Sequence, residues 1–419
     1  MRRREKISGN IDWLTITIYL LLVTMGWLSI FTASAGEDVS NLFDVSTRYG
    51  KQLMWIGFSI ILGITILIID AKFFTTFSFY IYIGMLLILI GVLFFGSTVA
   101  GSKSWFKIGG FAIQPAEFAK FATALAMAKY LSTMNIDMRN LKVKILSLTI
   151  LFTPALLILL QNDTGSALVY FSFVIVLFRE GFSGLLLIVG VVMAALFIAT
   201  LLFSELYVIG AIVGITVLIL ALSKYLRKQW KPIFAILIMA TAFVFSVNFA
   251  FENVLEPHQK KRINVLLGIE KDLRGAGYNV NQSKIAIGSG GLTGKGFRNG
   301  VLTRYNFVPE QSTDFIFCTV GEEWGFVGVT SVILLYLTLL IRIVLLAERQ
   351  RSKFSTIYGY GVASILFFHF AINIGMTIGL APVVGIPLPF FSYGGSSLWA
   401  FTVLLFIFIK LDANRLNVL

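Results

Sequence analysis

The sequence predicts an all-α protein, a polytopic bundle of about twelve membrane-spanning helices with one large extracytoplasmic loop. Three observations predict it. Apolar residues make up 57% of the 419-residue chain and charged residues 13%, where a soluble domain carries roughly 25% charge. Mean hydropathy is +0.87. Apolar runs of the length that crosses a bilayer, about 20 residues, recur along the whole chain. The composition also excludes several function classes. The net charge is +13, but the basic residues are dispersed between apolar segments, where they orient helices, so nucleic-acid binding is not expected. With one cysteine, Cys318, and two histidines, His258 and His369, an intrachain disulfide and a structural zinc cluster are excluded, and neither haem nor nucleotide is expected.

The candidate spans lie near residues 13–33, 51–70, 73–95, 113–133, 145–161, 164–179, 182–203, 206–223, 232–250, 324–346, 355–380 and 390–410. The first is free of charge; its apolar run is too long for a signal peptide and no small-residue cleavage site follows it. Segment 164–179 is short, and 182–203 lies close to 206–223. Phe354–Ile409 carries no charge and is too long for one span; Pro382, Pro387 and Pro389 divide it into two spans and a hairpin. Lys and Arg in short loops set orientation. With Arg2, Arg3, Arg4 and Lys6 in the cytoplasm, twelve alternating spans put Arg139, Lys142, Lys144, Lys224, Arg227, Lys228, Lys231, Arg349, Arg351, Lys353, Lys410 and Arg415 on the same side. Both termini are then cytoplasmic, and the short outer loops carry little positive charge. The chain reads as a single membrane domain over residues 1–419. Its large outer loop, 251–323, holds nine Lys/Arg and eight Asp/Glu; loops this long are functional or disordered, and the stretches at 284–287 and 301–308 favour function.

Five groups of residues stand out. Glu117 and Lys120 sit inside the fourth span at i,i+3, on one helix face; each charge costs about 2.5–3.5 kcal/mol at bilayer depth, and pairing lowers that cost. They form either an internal ion pair tying helices together or the lining of a polar cavity. Asp163 precedes a helix and suits an N-cap, with a ligand role as the alternative. Asp314, in Ser312-Thr313-Asp314-Phe315, lies at the outer mouth, as a cap or as a half-buried general base. The glycine stretch 288–296 suggests a phosphate loop, but Ser289 stands at the first Gly position and Gly296 follows Lys295 where Ser or Thr is required. Nucleotide binding is rejected; contact of its N–H groups and Lys295 with some other phosphate stays open. The segment Pro387–Ser397, with Ser392, combines Gly and Ser that let helices approach closely with a possible cavity-lining role.

Taken together, the segments Gln114–Lys120, Gln161–Ala167, Gly277–Gly296, Pro309–Phe317, Glu322–Gly325 and Ala381–Ser397 resemble the shape, elongation, division and sporulation family. The stretches Ser283–Gly291 and Pro382–Pro389 look like its elongation branch. The resemblance implies a peptidoglycan glycosyltransferase that polymerises lipid II at the outer face of the bacterial plasma membrane during elongation. It implies a class B penicillin-binding protein, a transpeptidase, and other elongation-complex membrane proteins as partners. It makes Asp314 the essential carboxylate and Glu117 and Lys120 the family's charge pair. Lys284, Lys295 and Arg298 become candidate pyrophosphate contacts, and Glu117, Lys120, Asp163 and Ser392 candidate substrate contacts. A divalent cation, magnesium or manganese, would suit the diphosphate. The chain departs from the family where Ser104 precedes Trp105 in place of an arginine, with Lys103 or Lys107 as candidate replacements for its charge. Asn162 replaces a proline, and two spans are added near 182–250. A lipid flippase, which needs charged or broken helices near the midplane, and a non-enzymatic scaffold for the transpeptidase are the rival readings.

Overall fold

The computed structural model describes residues 10–34, 41–99, 101–109, 111–133, 136–228, 230–253, 260, 263–264, 276–305 and 307–416. The basic N-terminus and much of 251–275 lie outside them. The chain divides into two compact units, residues 1–182 with 279–419, and residues 183–278.

In the first unit, α1 (Trp13–Ser34), α2 (Arg48–Ile68) and α3 (Ala71–Phe95) lead into three short antiparallel strands, β1 (Ser97–Val99), β2 (Ser102–Ile108) and β3 (Phe111–Ile113). The sequence gives no alternation there, and the strands appear as an addition to an otherwise helical fold. α4 (Pro115–Leu131) follows, then α5 (Leu141–Leu160), and a short run of α6 (Thr164–Leu168), a 3₁₀ turn and α7 (Phe173–Arg179). The second unit holds α8 (Leu185–Leu202), α9 (Glu205–Leu222), α10 (Lys224–Lys228) and α11 (Trp230–Asn253). Within it α11 packs on α8 and α9, and the Asn248 amide donates to Glu205. The chain continues through α12 (Ala276–Ser289), α13 (Val301–Arg304), α14 (Ile316–Glu348), α15 (Lys353–Thr377) and α16 (Gly395–Ala413).

Each of the twelve expected spans coincides with helix. Nine described helices are long and apolar enough to cross a membrane, and Thr164–Arg179 and Ile188–Leu202 are shorter apolar ones. α4 is the twelfth. It is buried on every side by α3, α5, α15 and α16, and its alanines at 116, 119, 122, 124, 126 and 128 allow the neighbours to come close.

α14 begins eight residues before the expected span, because a helix break lies inside it. Gly325 has φ 60° and ψ −155°, a conformation open to glycine at little cost. In an unbroken helix the N–H groups of Phe326 and Val327 would bond to the carbonyls of Glu322 and Glu323. Instead they donate to Gly291 O (2.9 Å) and Leu292 O (3.1 Å), while Lys295 N and Gly296 N donate to Glu322 O and Glu323 O, both at 3.0 Å. Two donors and two acceptors are exchanged with the glycine stretch, and none is left open. This explains the glycines: a Cβ at Gly290 would stand 1.9 Å from Gly321 O and one at Gly294 2.0 Å from Glu323 O. The stretch that resembles a phosphate loop is a splice for a broken helix. Gly290→Ala is therefore expected to cost about 1–3 kcal/mol, the range for forcing atoms into filled space. Gly288→Ala, with nothing within 4 Å of its Cβ, should stay within about 0.5 kcal/mol. Thermal unfolding of the two variants in one detergent compares them.

Candidate functional site

Asp314 stands on the turn that leads into α14 and is half-buried. The turn starts at Glu310, whose φ of 55° curls the chain so that its carbonyl accepts from Thr313 N (3.1 Å) and Phe315 N (3.2 Å). Neighbouring segments then hold the turn. Ser312 O accepts from Tyr393 N at 2.9 Å. Thr313 O accepts from the Ser392 hydroxyl at 2.6 Å, which itself accepts from Leu388 N at 2.9 Å. Asp314 O accepts from Asn373 Nδ2 at 2.9 Å. The Arg48 guanidinium, at the start of α2, donates to Ser312 Oγ at 2.6 Å and lies 6.0 Å from the Tyr393 ring centre. The Asp314 carboxylate faces Gly385, where a Cβ would stand 3.4 Å from Oδ2. The backbone of this carboxylate is thus fixed on both flanks while its head meets a glycine.

The other singled-out residues separate into groups. Glu117 and Lys120 form a buried pair at 2.8 Å, with the ammonium also on His369 Nε2 at 2.9 Å and 5.0 Å from the Phe401 ring. This is the internal tie between helices. Asp163 caps α6, accepting from Ser166 N at 3.1 Å, and its second oxygen takes the Gln114 amide at 2.6 Å. Its segment abuts the same loop as Asp314, for a Cβ at Gly165 would lie 2.3 Å from Val384 O. Ser392 is buried and grips the Asp314 turn. Lys295 is held by Glu322 at 2.7 Å; Glu322 also accepts from Leu302 N, Thr303 N and Thr303 Oγ. Arg298 has φ 62° and its guanidinium lies 5.6 Å from the Phe31 ring centre. Lys284 is exposed on α12, beside Gly379, and Ser283 donates to Thr377 O at 2.9 Å, docking α12 on the end of α15. Ser104 is fully buried. Lys103 does not project into a site; its ammonium donates to Leu93 O at 2.8 Å and Phe94 O at 3.3 Å, capping the C-terminal end of α3.

Three residues of the site are missing from the sequence reading: Arg48, His369 and Asn373. Each had a signal. Arg48 is a cation in an outer loop expected to carry few. His369 is the lone titratable imidazole in a charge-free run, and Asn373 follows at i+4 on the same face.

A family profile described as "Cell cycle protein", covering FtsW, RodA and SpoVE, matches residues 12–214 and 208–417. The chain is 34% identical to the peptidoglycan glycosyltransferase RodA of Treponema pallidum (strain Nichols), over 97% of this chain and 99% of that protein. It is 32% identical to the peptidoglycan glycosyltransferase MrdB of Escherichia coli (strain K12), over 93% and 90%. A solved chain from work on the structural coordination of polymerization and crosslinking by a peptidoglycan synthase complex is similar at TM-score 0.71 and 27% identity, covering 97% of this chain and 99% of that one. The crystal structure of the Thermus thermophilus rod shape determining protein RodA, at 24% identity and TM-score 0.63 over 97% of this chain and 98% of that one, shares the fold.

The buried pair gives a test of its own. Glu117→Leu leaves the Lys120 ammonium without its counter-charge, and removing one partner of a buried pair costs about 3–5 kcal/mol. The double variant Glu117→Leu/Lys120→Met is expected to recover at least half of the lost unfolding temperature. A double variant no more stable than the single one would contradict the pairing.

Proposed function

The chain belongs to the FtsW, RodA and SpoVE family and is a peptidoglycan glycosyltransferase, and we propose that it polymerises lipid II at the outer face of the plasma membrane with Asp314 as the general base. The observation that carries this reading is the clamped turn: one half-buried carboxylate, its backbone fixed from two segments, at the junction of helix and loop.

In the reaction the 4-hydroxyl oxygen of the acceptor sugar attacks the anomeric carbon of the donor. A glycosidic C–O bond forms, the bond from that carbon to the diphosphate breaks, and the polyprenyl diphosphate leaves with the electron pair. The hydroxyl proton passes to Asp314, which must reach within about 2.6–3.2 Å of it. The leaving diphosphate needs positive charge. Among the described residues Arg48 and Lys284 have no carboxylate within ion-pair distance, whereas Lys295 is neutralised by Glu322 and Lys120 by Glu117. Arg48 and Lys284 therefore suit the diphosphate better than Lys295. Arg298 stays a candidate. Among the described residues no three His, Cys, Asp or Glu side chains form a ligand set; a magnesium or manganese ion would be held by a carboxylate together with the diphosphate oxygens, and the chemistry is derived without one.

The same reading puts both termini in the cytoplasm and Asp314 outside. It gives the chain a class B penicillin-binding protein as partner, which crosslinks what this chain polymerises; the likeness to a chain from a peptidoglycan synthase complex supports it. The buried pair on α4, the best sequence support for a flippase, closes on itself and on His369, so that rival loses its main argument.

Purified protein given labelled lipid II is expected to yield a polymer ladder on a gel. Asp314→Asn should reduce the rate by about 100-fold or more, the range of general-base contributions, with its unfolding temperature unchanged. A normal rate in that variant would end the base assignment, and lipid II crossing vesicles without polymer would favour a flippase. Arg48→Ala should lower kcat/KM by about tenfold or more, the worth of a charge-assisted hydrogen bond. Lys295→Met should lower stability and leave KM for lipid II unchanged.

A further inference from the structure

His369 and Asn373 take no part in the chemistry above, yet both reach the segments that build its centre. They lie at i,i+4 on α15, so their side chains leave one helix face. Both are fully buried. His369 Nε2 meets the Lys120 ammonium at 2.9 Å and Nδ1 meets Pro387 O at 3.0 Å. An ammonium has only donors and a carbonyl only lone pairs, so the partners assign the tautomer: Nε2 accepts, Nδ1–H donates, and the ring is neutral. One turn further on, Asn373 Nδ2 donates both to Ile386 O at 2.8 Å and to Asp314 O at 2.9 Å.

These bonds answer a need of the backbone. Residues 381–389 run without helix or strand and pass from an exposed Gly385 to buried Ile386, Leu388 and Pro389, so the carbonyls at the buried end need donors from outside the segment. Pro387 and Pro389 remove two of the local N–H groups that could have served. α15 supplies the donors at two consecutive carbonyls, 386 and 387. The same Asn373 amide that holds Ile386 also holds the main chain of Asp314, and the preceding residue of the loop, Gly385, faces the Asp314 carboxylate. The Asn373 amide therefore joins the Ser392 and Tyr393 bonds in setting the distance between the carboxylate and the loop opposite, with the imidazole fixing the next carbonyl and linking it to the charge pair on α4.

We propose that His369 and Asn373 are positioning residues of the glycosyl-transfer centre, holding the 386–387 backbone and the main chain of Asp314 at fixed separation so that the carboxylate meets the acceptor hydroxyl. The inference rests on Asp314 being the working carboxylate. It predicts effects on turnover, not on binding, because neither side chain is exposed to a substrate.

The test uses the full-length protein and three variants, His369→Leu, His369→Gln and Asn373→Leu. It reads kcat and KM on labelled lipid II and backbone hydrogen exchange over residues 310–316. Both leucine variants should lose about tenfold or more in kcat with KM within about twofold, the pattern of an interaction felt in the transition state only. His369→Gln should return most of the loss, because an amide offers one acceptor and one donor at a spacing close to that of the ring nitrogens. Exchange over 310–316 should quicken in the leucine variants. Unchanged kcat in both, a raised KM at unchanged kcat, or a glutamine variant as slow as the leucine one would each overturn the proposal. If His369→Leu does not accumulate folded, Asn373→Leu carries the same comparison. If the unaltered protein makes no polymer, the glycosyltransferase reading fails by itself, and hydrogen exchange decides the positioning: unaltered exchange over 310–316 in the variants overturns it.

Discussion

A chain in hydrocarbon must satisfy every backbone N–H and C=O from within itself, and the architecture of this protein follows from how it meets that demand where helices stop. Over most of its length helices meet it locally. Among the described residues, at two places close to the Asp314 turn, they do not: around Gly325, where α14 breaks, and between the end of α15 and the start of α16. At the first, the glycine stretch accepts two N–H groups and donates two in return. At the second, His369, Asn373 and Ser392 supply donors to the carbonyls of Pro387, Ile386 and Thr313. Asp314 is held by the second of these repairs through Asn373. Its placement is a consequence of backbone accounting, and a carboxylate placed by many independent bonds is preorganised.

Much of this was legible in the sequence. Length of apolar run located the twelve helices, since a span is a one-dimensional property. The i,i+3 spacing of Glu117 and Lys120 gave their pairing, and the position of Asp163 ahead of an apolar segment gave its cap. Asp314 drew notice as a carboxylate between a loop and a span. What could not be read was pairing between distant segments. The glycine stretch reads as open to phosphate because its partner, the broken half-helix, is invisible in one dimension; Glu322 and Glu323 read as charges of the outer loop for the same reason. Lys295 reads as a free cation, whereas in the structure Glu322 holds it. Lys103 reads as a substitute for the missing arginine, but its neighbours in space are the last carbonyls of α3.

The distribution of charge carries the same lesson. Several cations are consumed by the structure, Lys120 by Glu117, Lys295 by Glu322, Arg342 by Asp12 and Arg349 by Asp412, while the buried Lys410 is held by the Leu67 carbonyl. Removing the partner of a buried charge is strongly destabilising. Arg48 and Lys284 pair with no described carboxylate and are exposed, where an unpaired charge costs little and can meet an anionic ligand. Counting lysines and arginines in a sequence finds candidates; which of them remain to bind anything depends on the carboxylates folded against them.

The central claim is that Asp314 works at the outer surface of the membrane, and topology tests it most directly. In a Cys318→Ala background, with the only native cysteine removed, Thr313→Cys places a thiol next to the carboxylate. A membrane-impermeant maleimide added to spheroplasts from outside is expected to label it, and lipid II or a diphosphate analogue is expected to slow the labelling. Labelling obtained only after the membrane is opened, from the cytoplasmic side, would contradict the account.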